Sequence, residues 1–445
     1  MKKFLWLMSS GLVGTIALSL MFLQQVSPSF GQTNQSDVTV IGTYTLPTSG
    51  LKADQERAMP GQVPDDRGLN MGGIFSGLYH TQGDPENMFY AIADRGPNGQ
   101  VTVGKDRRRT FPIPEYNPVI YKLTLQNDQV QIISATPIRT RNGKPVTGLS
   151  NTDNDEVPYT YDGQTRLELN PNGLDIEGLA RASDGTFWVC DEYSPSVAHI
   201  TTDGTVVRRL VPEGITLAAD TDVRPVLPAI YAKRRLNRGF EGVTISQDGT
   251  RLFITLQSPL DFPTKEIGRA SRMMRLLVVD TQKLMPVAEY VYVAEPISRF
   301  GETEQGEMKL SDVAFVNPTT LLIDERTDKV AHIYQVDLSG ATNILGTRWS
   351  DPKNTSNSLE ALTPEQLSAN GITPVKKSLV ADLSKVPGMP EKIEGLTVVN
   401  PTTIAIGNDN DFGFDKFDGS GRAVNNNLKN QLMILRLPQA LPLKR

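Results

Sequence analysis

Three glutamates in this 445-residue chain share one local context: Ile176-Glu177-Gly178-Leu179, Phe240-Glu241-Gly242-Val243 and Ile393-Glu394-Gly395-Leu396. Each phrase leads through an apolar run and a tight turn into a second apolar run. Those second runs end on polar or acidic residues: Asp191-Glu192, Gln257-Ser258 and Asn408-Asp409. Two variant copies set Ser76-Gly77 ahead of Asp94-Arg95, and Ser311-Asp312 ahead of Asp324-Glu325-Arg326. Carboxylates gathered from such copies repel one another unless protons or a cation neutralise them. Oxygen ligands of this kind suit a hard cation, calcium first and another divalent ion second. A carboxylate beside such an ion can act as base toward water.

On that argument Glu177, Glu241 and Glu394 are the catalytic candidates. Asp94, Asp191, Glu192, Glu325 and Asp409 are the candidate metal ligands, and Asp324 shares their position in the repeat. The competing reading is that each Glu accepts backbone N–H groups from a neighbouring repeat and locks the structure. Arg95, Arg238 and Arg326 stand beside these acids and suit a phosphate or carboxylate ligand, or else each pairs with its adjacent acid. The acid- and glycine-rich segment 409–419 lacks EF-hand spacing and reads either as a structural calcium loop or as a solvated one. Residues 151–156 resemble it more weakly, and the basic run 105–109 reads as a solvated loop. Only His80, His199 and His332 occur, the last two at equivalent repeat positions, which favours packing. No Gly-x-Ser-x-Gly elbow, phosphohistidine signature or zinc motif is present, so metal-activated water is the favoured hydrolytic route.

The elements that would position these acids follow from the repeats. Short apolar runs bounded by Gly, Pro, Asn and Asp indicate an all-β chain, with helix signals only near 363–370 and 228–236. Each copy extends to four strands in a meander, the blade of a β-propeller. The copy opening at Ser311 would take its fourth strand from 342–346. The copy opening at Glu394 has only three strands before the chain ends, and residues 38–46 would supply the fourth and close the ring. Five blades are legible, and the polar gaps at 140–171, 212–239 and 350–393 leave room for a sixth. Otherwise these gaps are rim loops. In a propeller the start of an innermost strand and the end of the next lie on one face, so the listed acids would ring one mouth of the channel.

Lys2 and Lys3, an apolar stretch over 4–23, and small residues Ser29 and Gly31 give the form of a secretory leader cleaved after Gly31. The apolar length rivals a retained anchor, while Ser9, Ser10 and Ser19 favour cleavage. Residues 32–445 then form one domain. Losing the two leader lysines takes the formal charge from −5 to −7, which disfavours nucleic acid and admits cations. Cys190 is the single cysteine, so no internal disulfide forms and stability rests on core burial.

Four stretches carry a family resemblance: Ala93-Asp94-Arg95-Gly96-Pro97, residues 172–179, residues 187–195, and residues 237–242 continuing through 256–260. Together they resemble the phytase-like family named for esterase-like activity of phytase, over roughly residues 71–437. The resemblance implies an exported propeller-like protein with phosphoester or ester hydrolase activity, and assigns no individual residue a role. The expectation is a monomeric periplasmic or extracellular calcium-assisted hydrolase of a small phosphate ester, with no membrane contact after leader removal. A calcium-dependent lactonase or carboxylesterase is the alternative within enzymes, and a non-catalytic binding propeller the alternative outside them.

Overall fold

The computed structural model of the protein describes residues 38–443; the leader expected over 1–31 lies outside them. Five antiparallel four-stranded sheets follow one another along the chain. The first contains Gly77–Tyr79, Met88–Ile92, Val119–Gln126 and Gln129–Pro137. The second contains Ile176–Arg181, Phe187–Asp191, Ser196–Ile200 and Val206–Pro212, with Asp222–Leu227 added in parallel at its outer edge. The third contains Phe240–Ile245, Arg251–Leu256, Met273–Asp280 and Met285–Val293. The fourth contains Lys309–Asn317, Thr320–Arg326, Ala331–Asp337 and Lys376–Asp382. The fifth contains Ile393–Asn400, Thr403–Asn408 and Gln431–Arg436, and Thr39–Thr45 completes it in antiparallel register, Thr45 opposite Gln431. The first strand of each sheet adjoins that of the next, and Gly77–Tyr79 closes the circle between Ile393–Asn400 and Ile176–Arg181. The protein is a β-propeller closed by its N-terminal strand.

Local chemistry explains the repeated hairpins. The turn acid or amide accepts a backbone N–H two residues on: Asp184 from Thr186 at 2.9 Å, Asp248 from Thr250 at 3.0 Å, Asn317 from Thr319 at 3.0 Å. Five apolar clusters fill the spaces between successive sheets, such as Trp188, Cys190 and Leu210 against Phe240, Val243 and Ile254. Each large buried side chain contributes roughly 1.5–3 kcal/mol.

The glycine of the Glu-Gly phrase follows from the tightness of the ring. A Cβ on Gly178 would stand 2.9 Å from the Glu241 carbonyl oxygen, and one on Gly242 2.6 Å from that of Ser311. The inner strands meet backbone to backbone, and only glycine fits. The fourth sheet has Asp312 at this point. Its carboxylate accepts the N–H groups of Val313 at 2.9 Å, Leu396 at 3.0 Å and Leu78 at 3.5 Å, tying three sheets together at the axis.

One strand departs from expectation. Residues 342–346 are a loop whose Ile344 anchors in a cluster with Met273 and Val291 of the third sheet and Trp349 of the 3-10 turn Arg348–Ser350. The fourth strand of the fourth sheet is Lys376–Asp382 instead, inside a segment read as rim loop. The helix signals hold as a short helix Gln366–Ala369 and a 3-10 turn Ala229–Lys233, whereas the helices Leu51–Ala58 and Lys265–Ala270 were not foreseen. No further four-stranded sheet occurs among the described residues. The remaining strands form small accessory sheets, including the hairpin Phe414–Phe417 with Ala423–Asn425. Leu51, Val63, Tyr116 and Phe412 pack these accessory loops together next to Asp94 and Asp409.

Candidate functional site

Strand register sets the site. Ile176 lies opposite Asp191, Phe240 opposite Leu256 and Ile393 opposite Asn408, so the start of each first strand meets the end of the second. Glu177, Glu241, Glu394, Asp94, Glu192 and Asp409 therefore gather at one end of the ring, within electrostatic reach of one another. Asp94, Asp175 and Glu177 are closest, one carboxylate oxygen from each lying within 4.8 Å of the others. Asp175 is fully buried, and its Oδ2 makes no hydrogen bond, although Arg95 Nη1 is 3.1 Å away. Asp94 and Glu177 are partly exposed, so the cluster opens to solvent.

Charge is unevenly spread across this mouth. Burial pushes Glu177 well above the usual carboxylate range, and Glu241, Asp175, Glu192 and Asp94 push it further. Burial followed by Asp409 and Asp175 does the same to Asp94, and burial with Asp175 and Glu241 to Glu192. Glu241 rises to about 7 through burial and Glu394, against Arg326, and its Oε2 is buried without a partner. On the opposite side the cations are built in. Arg326 donates to Glu394 at 2.5 Å, and Lys392 to Asp409 at 2.8 Å and Asp411 at 2.5 Å. Asp409, whose burial alone would raise it, is thereby held below its ordinary value. Lys392, Asp411 and Phe412 all have positive φ (53°, 47° and 57°), a strained backbone for residues other than glycine.

Two expected metal ligands are not at the mouth. Asp191 accepts from Arg209 and Ser196 at 2.6 Å each, and from the N–H groups of Asp175 at 2.8 Å and Tyr193 at 3.1 Å. Its oxygens are committed to the sheet behind the site, where they hold the backbone of Asp175. Glu325 accepts from Tyr292 at 2.5 Å, from Lys377 at 2.6 Å and from the N–H of Glu295, between the third and fourth sheets. For Asp324 and Glu325 the reason is strand alternation, which turns successive residues to opposite sides; Glu192 lies in the turn beyond Asp191, the last residue of its strand. Asp324 is fully buried beside Arg326, with both oxygens unpartnered.

The arginines are not free to meet a ligand. Arg95 pairs with Asp175 at 3.1 Å and Glu156 at 3.4 Å rather than with Asp94, and also donates to Tyr193 and Asn237. Arg326 pairs with Glu394, not the adjacent Glu325, and donates to Ser311 at 2.6 Å. Arg238 donates to the carbonyls of Gly306 at 3.0 Å and Met308 at 3.3 Å. They are internal braces, and the expectation of three substrate-binding arginines is corrected accordingly. Segment 409–419 does not converge on a calcium loop: Asp418 caps a turn through Ser420 and Arg422, and Asp415 meets Asn426. Segment 151–156 is a loop, with Asp155 bound to Arg234. His199 stacks on Trp188 with centroids 4.3 Å apart, and His332 packs on Phe300, as packing residues. Asp175 escaped the sequence reading, although its place two residues before Glu177 puts it on the same side of an extended chain.

A sequence model of the phytase-like family, described as esterase-like activity of phytase, matches residues 70–412. An uncharacterized secreted protein of Arthroderma benhamiae is 25% identical over 323 residues, covering 62% of this chain. The chain spans only 61% of that relative's length. Among solved structures, the PQQ-bound aldose sugar dehydrogenase of Streptomyces coelicolor aligns over 90% of this chain and 98% of its own, at 12% identity and TM-score 0.32. Virginiamycin B lyase of Staphylococcus aureus aligns over 82% and 95%, at 12% identity and TM-score 0.30. Likenesses of that size carry no argument about chemistry. Among the described residues no helix is long and apolar enough to cross a membrane.

Proposed function

Since the chain belongs to the phytase-like family, esterase-like activity of phytase, we propose that it is an exported hydrolase of phosphate esters assisted by a divalent cation, calcium first. The observation that carries this reading is the Asp94, Asp175 and Glu177 cluster, with Glu192 and Glu241 adding charge around it. The donor set is entirely oxygen, which fits a hard cation. Bound there, the ion would hold substrate oxygens and lower the pKa of an attacking water. Asp94, Asp175 and Glu177 would hold it, and Arg95, donating its backbone N–H to Asp175 at 3.2 Å, keeps that carboxylate in place. Glu241, raised to about 7 with one free oxygen, is suited to take the proton from water. Glu394, fixed by Arg326, shapes the opposite wall. Export is supported by the secreted relative and by the leader-like N-terminus.

The test is phosphate release from p-nitrophenyl phosphate by purified protein, with EDTA and after calcium is restored. Release should need the cation, and Glu177→Gln and Glu241→Gln should each reduce it by roughly 100-fold or more; release indifferent to EDTA would overturn the proposal. The family description itself favours one second reading, cleavage of carboxylic esters or lactones at the same mouth. Turnover of aryl acetates or lactones, with none of phosphomonoesters, would select it.

A further inference from the structure

Two chain connections at the mouth end of the fourth and fifth sheets enclose a cavity of about 240 Å³. Antiparallel register puts both connections there. Arg326 lies opposite Ala331, so residues 327–330 turn at the mouth. His332 lies opposite Asp382, so residues 383–392 leave the fourth sheet at the same end and cross to Ile393, which opens the fifth. The floor of the cavity is the edge of the core between these sheets. Ala331, Leu383, Val386 and Ile393 are buried there, with Met389 half-buried against them. Protein interiors ordinarily pack to the density of organic crystals. A void with an aliphatic floor therefore suits an apolar guest, and an apolar cavity of about 150 Å³ already accepts benzene.

The cavity shares a wall with the carboxylate mouth. Lys392 lines it and donates to Asp409 at 2.8 Å. Thr327 lines it, and the Thr327 carbonyl accepts from Arg326 Nη1 at 3.5 Å. The Lys392 N–H donates to the Asp328 carbonyl at 2.7 Å, and the Lys392 carbonyl accepts from the Asp409 N–H at 3.0 Å, so this wall is fixed. The cations at the rim are matched, Lys392 by Asp409 and Asp411, and Lys329 by Glu302 at 3.0 Å. Recognition is left to the aliphatic floor.

We infer that this cavity seats the apolar group, an aryl ring or a short alkyl chain, of an ester whose polar head lies at the carboxylates, and that Met389 sets its size limit. The inference rests on the hydrolase reading for the ester itself. It narrows the substrate class to esters with one apolar substituent, since an aliphatic floor cannot hydrogen-bond the hydroxyls of a polyol.

The experiment has a binding arm and a turnover arm. Intact protein in EDTA is titrated with 4-fluorobenzyl alcohol, followed by fluorine NMR, in wild type and in Met389→Trp, which fills the cavity. Turnover of benzyl and methyl phosphate, and of benzyl and methyl acetate, is then compared in calcium. Met389→Trp should weaken binding of the alcohol about tenfold or more, and lower the benzyl-to-methyl ratio of kcat/KM by a similar factor. No saturable binding to wild type, equal affinity in the two proteins, or a benzyl-to-methyl ratio indifferent to Met389→Trp overturns the inference. Should the alcohol bind in a Met389-dependent way while no ester is cleaved, the hydrolase reading falls and the apolar site stands. If Met389→Trp does not fold, methyl NMR of the wild-type methionines decides. A saturable shift of the Met389 methyl supports the site, and shifts confined to other methionines defeat it.

Discussion

The carboxylate of Asp312 accepts the backbone N–H of Leu396 at 3.0 Å across the axis of the propeller. The one inner strand that lacks the glycine of that phrase is thus tied by a side chain where the others touch through glycine. A buried acceptor serving three N–H groups leaves all of them unsatisfied when removed. Asp312→Ala is expected to cost about 3 kcal/mol or more. Asp312→Asn, which keeps an acceptor oxygen, should cost visibly less. Urea unfolding of the two variants measures the difference, and equal losses would show that the axis does not depend on this carboxylate.

Gly242 and Gly249 lie a few residues apart in one hairpin and carry opposite constraints. A Cβ at Gly242 would meet Ser311 and Asp312 backbone at 2.6–2.8 Å, whereas Gly249, at φ 71°, has nothing within 4 Å. Gly242→Ala must spread two inner strands and should cost about 3 kcal/mol. Gly249→Ala meets only backbone strain, about 1 kcal/mol. Chemical denaturation of both variants checks the ranking.

Sequence periodicity located the hairpins, the closing N-terminal strand and the gathering of Glu177, Glu241 and Glu394, because antiparallel register forces strand starts and ends together. It did not separate Asp191 from Glu192 or Asp324 from Glu325. Adjacent acids look alike in a string, while a strand turns Asp324 and Glu325 to opposite sides, and the turn after Asp191 carries Glu192 away from it. Asp175 stands outside the repeated Glu-Gly phrase, so the repeat pattern does not single it out. Lys376–Asp382 reads as loop because its polar residues face outward at a sheet edge, while Ile344 in the more strand-like segment is claimed by the third sheet.

Asp191 is expected to act as structure and not as ligand. Its pair with Arg209 is fully buried, and breaking such a pair costs about 3 to 5 kcal/mol. Asp191→Asn should therefore lower the melting temperature strongly while leaving calcium affinity near wild type in whatever fraction folds. Glu325→Gln should behave likewise. Calorimetry on the folded protein checks both, and a selective loss of calcium binding with intact stability would return these residues to the site.

The carboxylate mouth makes stability depend jointly on pH and cation. In the chelated protein Glu241 has its pKa lifted to about 7 from an ordinary 4.5, by burial and then by Glu394. A raised folded-state pKa means the protonated form is the stabilising one. Its contribution is complete below about pH 4.5 and is lost as pH climbs through 7. Glu177 and Glu192 shift in the same direction, so the chelated protein should melt at a higher temperature near pH 5 than near pH 8. Calcium binds ionised carboxylates and must displace their protons, so its stabilisation should run the other way, larger near pH 8. At a hundredfold excess over Kd the gain is about 2.7 kcal/mol. Asp175→Asn should remove that gain, since it neutralises the buried anchor of the cluster. Scanning calorimetry at the two pH values, with EDTA or calcium chloride, measures all of this. A calcium gain that ignores pH, or one that survives in Asp175→Asn, would mean the ion sits elsewhere.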